Sequence, residues 1–250
     1  MTVATRHKET TERKAFLKQV LPALTDKEVT ELEEISLLVH HEDGDLIAQE
    51  GAYASGVFIV HTGLVSIGKY ASRGWEKRCL RFLAVGEMFG LEAAFLEREP
   101  INVEYAKALV ESTLVFFERS NFLAFGKQHP RLFADLCRWL AREVIMLEFK
   151  LTREAVESMD RNLALLLIAL GNKYGTPHDG GTVLSLSIPR QTMAEMLGVS
   201  LETLMRGLKR FRELDLLSTD RGEICIRDLD ALVARARVNQ FYLSIIQETL

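Results

Sequence analysis

The chain has 250 residues, 48% hydrophobic and 26% charged, with a formal net charge of −4. That is enough for one large domain or two ordinary ones of globular composition, and the mildly acidic balance offers no chain-wide attraction to nucleic acid. No apolar run approaches the roughly 18 residues a membrane span needs, and the longest, Leu163 to Leu170, has the length of a core helix. The first segment, Met1 to Lys14, is polar without an apolar signal core, so a cytoplasmic protein with no membrane partner is expected.

Taken in chain order, residues 10–35 are predicted helical, and Thr25-Asp26-Lys27-Glu28 fits a capping box. From about Leu37 to Arg119 short apolar or alternating runs are separated by turn residues such as Gly44-Asp45, Glu50-Gly51 and Gly86-Glu87. This spacing predicts a roll or barrel of short antiparallel strands, with Val57 to Ile67 as a hairpin about Gly63. Pro130 then precedes a helix running to about Met159, along which Leu136, Leu140, Val144, Leu147 and Leu151 make a heptad-like seam. A dimer seam is the favoured reading, and packing of the helix on its own domain is the competing one. A further helix begins at Asp160-Arg161 and runs through Leu170; Gly171 to Gly181 reads as a loop; Leu229 to Leu250 reads as an amphipathic helix. The expected domains are a sensor roll with N-terminal helices (1–130), a dimerisation helix (131–159), a DNA-binding domain (160–227) and a helical extension (228–250).

The chemistry is concentrated in residues 189–210. Pro189 suits a helix start, Ala194 is small enough for a close helix crossing, and Gly198 can take the positive φ of a tight turn. Val199 can plug the corner, and Ser200 is a good N-cap for a second helix. On that helix Leu204 and Leu208 face inward, while Leu201, Glu202, Met205, Arg206 and Lys209 share the outer face. Arginine can donate bidentately to guanine and glutamate can accept from cytosine, so Glu202 and Arg206, one turn apart, can read neighbouring bases. Arg206, Lys209, Arg210 and Arg212 supply local positive charge for phosphates. The segment Leu216 to Ile226, turning at Asp220-Arg221-Gly222, is the expected wing.

With these features the sequence resembles the CRP/FNR family of transcription regulators. Gly44-Asp45-Leu46-Ile47, Glu50-Gly51, Phe58-Ile59-Val60, Thr62-Gly63 and Gly86-Glu87-Met88-Phe89-Gly90 match the roll, and Pro189-Arg190-Gln191 with Gly198 to Thr203 and Arg206 match the DNA-reading signature. The resemblance implies an α+β fold: an N-terminal double-stranded β-roll (jelly roll), a long dimerisation helix and a C-terminal winged helix-turn-helix. It implies a homodimer on a palindromic double-stranded site, with RNA polymerase as a further partner. Glu202 and Arg206 would read a G–A core; Arg190, Gln191, Ser200 and Thr203 would touch phosphates, with Lys209 beside them. Leu201 stands where the cyclic-AMP-binding members have an arginine, and Met205 where small residues are common, so the outer bases of the half-site need not follow those relatives.

The effector is less constrained. In the cyclic-AMP members a Gly-Glu pair holds the ribose, and an Arg-Ser pair about ten residues on holds the cyclic phosphate. Here Leu91 replaces the glutamate, with Glu92 adjacent, and Ile101 or Asn102 replaces the arginine, which argues against cyclic AMP. Three options stay open. One is another small molecule in a pocket drawn from Phe89, Gly90, Leu91, Glu92, Ile101, Asn102 and Tyr105. Another is haem, whose axial ligands would come from His7, His40, His41, His61, His129, His178 or the Cys and Met residues. The last is control without a ligand, for example through Cys137. Cys79, Cys137 and Cys225 lie far apart with no Cys-x-x-Cys pair, which excludes a four-cysteine iron-sulfur cluster and leaves no metal site in view. No Gly-rich phosphate loop, His-Glu-x-x-His or Gly-x-Ser-x-Gly supports an enzyme. The alternative to a regulator is a cyclic-nucleotide-like interaction module without DNA specificity.

Overall fold

The computed structural model describes residues 3–70, 77–95, 99–153, 159–178, 180–186, 188–220 and 222–237. These fall into two compact units, Met1–Ile145 and Met146–Leu250.

The first unit begins with helices α1 (Val3–Val20) and α2 (Asp26–Glu34). The capping box forms as expected: the Thr25 hydroxyl accepts from the Glu28 N–H, and the Glu28 carboxylate accepts from the Thr25 N–H at 2.6 Å. Eight strands follow: β1 (Ser36–His41), β2 (Leu46–Ala48), β3 (Gly56–Thr62), β4 (Val65–Tyr70), β5 (Lys77–Leu83), β6 (Met88–Phe89), β7 (Tyr105–Ala108) and β8 (Ser112–Glu118), with the short helix α3 (Leu91–Phe95) after β6. They form two antiparallel sheets, ordered β1-β8-β3-β6 and β2-β7-β4-β5. Phe58, Val60, Val65, Ile67, Phe89 and Leu114 fill one apolar cluster, while Val57, Ile59, Val115 and Phe117 pack with Leu17, Leu21 and Leu32 of the N-terminal helices in another.

The expected hairpin about Gly63 is not present. β3 pairs with β8 and β6, whereas β4 pairs with β7 and β5, so the chain changes sheets at Gly63. Gly63 has φ +93°, and a Cβ there would lie 2.2 Å from Ser112 Oγ and 2.7 Å from the Glu111 carbonyl. The apolar run misleads because β3 is buried on both faces, one against the opposite sheet and one against helices.

Helices α4 (Arg119–Gln128) and α5 (Arg131–Arg153) close the roll. The start of α5 belongs to it: Leu132, Leu136 and Trp139 join the helix-side cluster, and the Asp135 carboxylate accepts from the Ala23 N–H at 2.9 Å. Leu136 is therefore a core residue, 3% exposed, and not part of an open seam, whereas Val144 is 54% exposed. The exposed stripe runs through Phe133, Cys137, Leu140, Val144 and Leu147, alternating steps of four and three. The Leu151 side chain lies outside what is described, as do residues 154–158 of the expected dimer helix.

The second unit contains α6 (Met159–Tyr174), β9 (Gly175–His178), β10 (Gly181–Leu184), α7 (Arg190–Leu197), α8 (Leu201–Glu213), β11 (Leu217–Asp220), β12 (Glu223–Ile226) and α9 (Leu229–Ala236). Its sheet runs β11-β12-β10-β9. Gly171 to Gly181 is thus the end of a helix and a strand pair, not a loop. A Cβ at Gly171 would come 2.8 Å from Ile226 Cδ1, so this glycine lets helix and strand approach instead of ending the helix. The expected C-terminal helix is described over α9, where Asp228 caps the Ala231 N–H at 2.8 Å and Arg161 donates to the Ala236 carbonyl at 2.7 Å. That part packs on α6 and so belongs to this unit; residues 238–250 lie outside the description. Among the described residues no helix is long and apolar enough to cross a membrane.

Candidate DNA interface and effector pocket

The helix-turn-helix forms in the expected register. Thr192, Met193 and Ala194 are buried on α7, and Gly198 ends the helix at φ 65°, ψ 32°. The Val199 N–H donates to the Ala194 carbonyl at 3.0 Å, which folds the turn back on α7. Ser200 Oγ accepts from the Thr203 N–H at 3.2 Å and so caps α8. Leu204, Gly207, Leu208 and Phe211 form the inward side of α8. Gly207 has a role that sequence spacing did not reveal. A Cβ there would lie 2.8 Å from Met159 Cε, 2.9 Å from Met159 Sδ and 3.0 Å from Leu163 Cδ2, so a side chain at this point would displace the Met159 and Leu163 tips on α6.

The outer face of α8 is open. Leu201, Glu202, Met205, Arg206 and Lys209 are all exposed. The Glu202 side chain is 81% and Arg206 67% exposed, and their charged atoms stand 3.9 Å apart. Arg206 also donates to Thr203 Oγ1 at 3.3 Å, which holds its head over the first turn. The basic cluster divides in two. Arg206 and Lys209 point outward, but Arg210 pairs with Asp160 at 2.9 Å and Arg212 donates to Thr219 Oγ1 of β11 at 3.2 Å.

Gln191 is exposed at the start of α7. Arg190 is more committed. It is half-buried and donates at 2.8 Å to the carbonyl of Gly222 in the β11–β12 turn. Burial pushes its acidity up from that of an ordinary arginine, although a guanidinium stays charged in any protein setting. Arg190, Met193 and Ile188 meet Gly222 and Ile224 around a small cavity beneath the wing.

In the roll, Phe89, Gly90, Glu92, Asn102 and Tyr105 line one pocket, together with Ile67, Ala93 and Glu104. Two of the expected residues do not contribute. Leu91 turns into the helix-side core, and Ile101 is exposed, bridged to Tyr53. Beside the pocket is a charged group that sequence reading missed. Arg81 of β5 pairs with Glu104 at 3.0 Å, with Glu92 of α3 at 3.3 Å and with Glu143 of α5 at 3.3 Å. Burial pushes the Glu104 and Glu143 carboxyls up from the ordinary value, against the pull of Arg81 and with the push of neighbouring carboxylates. The histidines are dispersed: His129 lies between Glu28 and Glu31, His61 packs on Phe16, and His40 bonds Thr113.

This architecture, a two-sheet roll followed by a winged helix-turn-helix, defines a class of transcription regulator. Residues 38–129 match the model of the cyclic nucleotide-binding domain, and residues 162–235 match that of the Crp-like helix-turn-helix domain. The chain is 24% identical over 194 residues, 78% of its length, to the CRP-like cAMP-activated global transcriptional regulator of Mycobacterium tuberculosis, of which 85% is covered. It is 29% identical over 182 residues to the nitrogen fixation regulation protein FixK of Rhizobium meliloti, covering 73% of this chain and 78% of that one. The structure of FixK2 from Bradyrhizobium japonicum shares the fold with a TM-score of 0.69 at 20% identity, over 82% of this chain and 99% of that one. The chain belongs to the CRP/FNR family. It is a DNA-binding transcription regulator, not an enzyme.

Proposed function

We propose that the protein acts in the cytoplasm as a homodimer that reads a palindromic DNA site through α8 and responds to an effector in the roll other than a cyclic nucleotide. The observation that carries this reading is the open face of α8, where Glu202 and Arg206 stand beside Leu201 and Met205 with no other element of the domain covering them. Arg206 donates to guanine, Glu202 accepts from cytosine, and the apolar Leu201 and Met205 suit thymine methyl groups at the outer positions. Lys209, Gln191, Ser200 and Thr203 lie where they can hold phosphates. Arg190 is assigned chiefly to the wing through Gly222, with any phosphate contact secondary.

Dimerisation is supported by the apolar stripe on α5 from Phe133 to Leu147, whose alternating spacing is that of a two-stranded coiled coil. Two α8 helices would then be presented about one DNA turn, ~34 Å, apart. RNA polymerase is the expected further partner.

For the effector, the polar wall of the roll pocket includes Glu92 and Glu104, and the arginine behind them already pairs with both. A cyclic phosphate would meet carboxylates where it needs donors, which argues against a cyclic-nucleotide effector like that of the mycobacterial relative. A neutral or cationic small molecule fits this wall better. An absorption spectrum of the purified protein decides between that reading and haem, since a Soret band would replace the small-molecule reading.

The test of the whole is selection of binding sites from random duplexes, followed by anisotropy with the selected duplex. A two-fold-symmetric site bound in a salt-sensitive manner is expected. Uniform binding to all sequences would overturn the proposal.

A further inference from the structure

Arg81 stands out among the charged residues of the roll because its partners come from different parts of the unit. Its side chain is 15% exposed. Glu104 lies just before β7, Glu92 on α3 and Glu143 on α5, all within 3.3 Å of the guanidinium. Lys69 of β4 is the other cation acting on Glu104. Two of these carboxylates belong to the pocket wall; the third belongs to the helix that carries the exposed apolar stripe. A guanidinium has donors enough for several oxygens but only one charge. Three ionised carboxylates outnumber the guanidinium and the Lys69 ammonium, and the two most buried, Glu104 and Glu143 at 15% and 13% exposed, favour keeping a proton between them.

We infer that Arg81 is the positioning residue that ties α5 to the wall of the effector pocket, and that a proton held between its two most buried partners, Glu104 and Glu143, sets how firmly it holds. Glu104 and Glu143 meet the same guanidinium, so the proton belongs to the pair and not to one side chain. The directions for Glu104 and Glu143 agree with the geometry, both lying above the ordinary glutamate value through burial. A carboxyl whose value is raised by folding contributes stability below its unfolded value, and that contribution is lost as pH rises through the folded value. Acidification therefore tightens the junction between pocket and α5, and a rise in pH loosens it. The consequence for regulation rests on the dimer-helix reading of α5 given above; the titration itself does not.

The experiment is a carbon-13 titration of glutamate carboxyls in the full chain, with Glu143→Gln as the paired variant. Glutamine keeps the shape and can still accept from Arg81, so the variant is expected to fold. In the unsubstituted protein, the Glu104 or Glu143 carboxyl should hold its proton above the ordinary glutamate value. In Glu143→Gln, with Arg81 freed for it, the Glu104 carboxyl should move back toward that value. A second readout is the difference in Tm between the two proteins. It should move in favour of Glu143→Gln as pH rises from the ordinary glutamate range through the raised value of the folded protein, and level off above it, while histidine titration common to both cancels. Ordinary titration of both Glu104 and Glu143, or a Tm difference that does not move with pH, overturns the inference. Neither readout uses DNA, so loss of sequence-specific binding would sink the regulator reading and leave this one standing.

Discussion

The two glutamate–arginine groupings of this protein use the same chemistry in opposite settings. On α8, Glu202 and Arg206 face solvent 3.9 Å apart, one turn from each other. In the roll, Arg81 is enclosed by carboxylates from α3, α5 and the segment before β7. An exposed pair contributes almost nothing to stability, since water screens it and both side chains must be ordered to make it. For that reason it can exchange its partner for a base edge at small cost. An enclosed group cannot change partners without exposing or stranding a charge. The first setting suits the recognition proposed for α8, and the second suits the coupling proposed for Arg81.

The largest expected effect breaks the buried side. Arg81→Met strands three carboxylates and should destabilise the roll by about 3–5 kcal/mol at neutral pH, measured by denaturant unfolding. An unchanged midpoint would mean the carboxylates are better solvated than their surroundings indicate. Next, α5 carries the same contrast along a single helix. Leu136→Ala should cost about 2–5 kcal/mol because it empties a core site, whereas Val144→Ala should leave unfolding of the monomer nearly unchanged and weaken self-association in sedimentation. Equal effects would remove the distinction between core and stripe. Third, Arg206→Ala should lose about 1–3 kcal/mol of affinity for the selected duplex, with discrimination relaxed at one base position. Its Tm should stay near that of the unsubstituted protein. Smallest is Lys209→Ala, expected to weaken all sequences alike and to lower the salt slope by about one per subunit. Arg190→Met should change that slope less than Lys209→Ala if its guanidinium serves the wing, and as much or more if it serves a phosphate.

The same contrast explains what was legible in the sequence. The helix-turn-helix could be read because each job in it is local: Gly198 turns the chain, Ser200 caps the next helix two residues on, and Glu202 and Arg206 share a face by helical period. The roll was legible as a class, from strand spacing and turn residues, but not in its pairings. β3 and β4 adjoin in sequence yet lie in different sheets, which depends on β8 and β7 arriving from about fifty residues away. Gly171 looked like a helix end because the sequence cannot distinguish a glycine that breaks a helix from one that admits a neighbour. Leu136 satisfied the seam's period as well as Cys137 does, and only the burial of Leu132 and Trp139 on the same side separates them. Arg81 carried no signal, since its three partners share no spacing with it. Gly207 carried none either, because its neighbours Met159 and Leu163 belong to another helix.

The bond from Arg190 to Gly222 has a consequence for the search along DNA. It ties the first helix of the reading motif to the tip of the wing before any duplex is met. If α8 enters the major groove as proposed, the wing beside it is then already anchored to the base of the motif. On that reading a duplex whose groove does not fit the anchored wing would have to bend to be bound, and DNA stiffness would enter the choice of site.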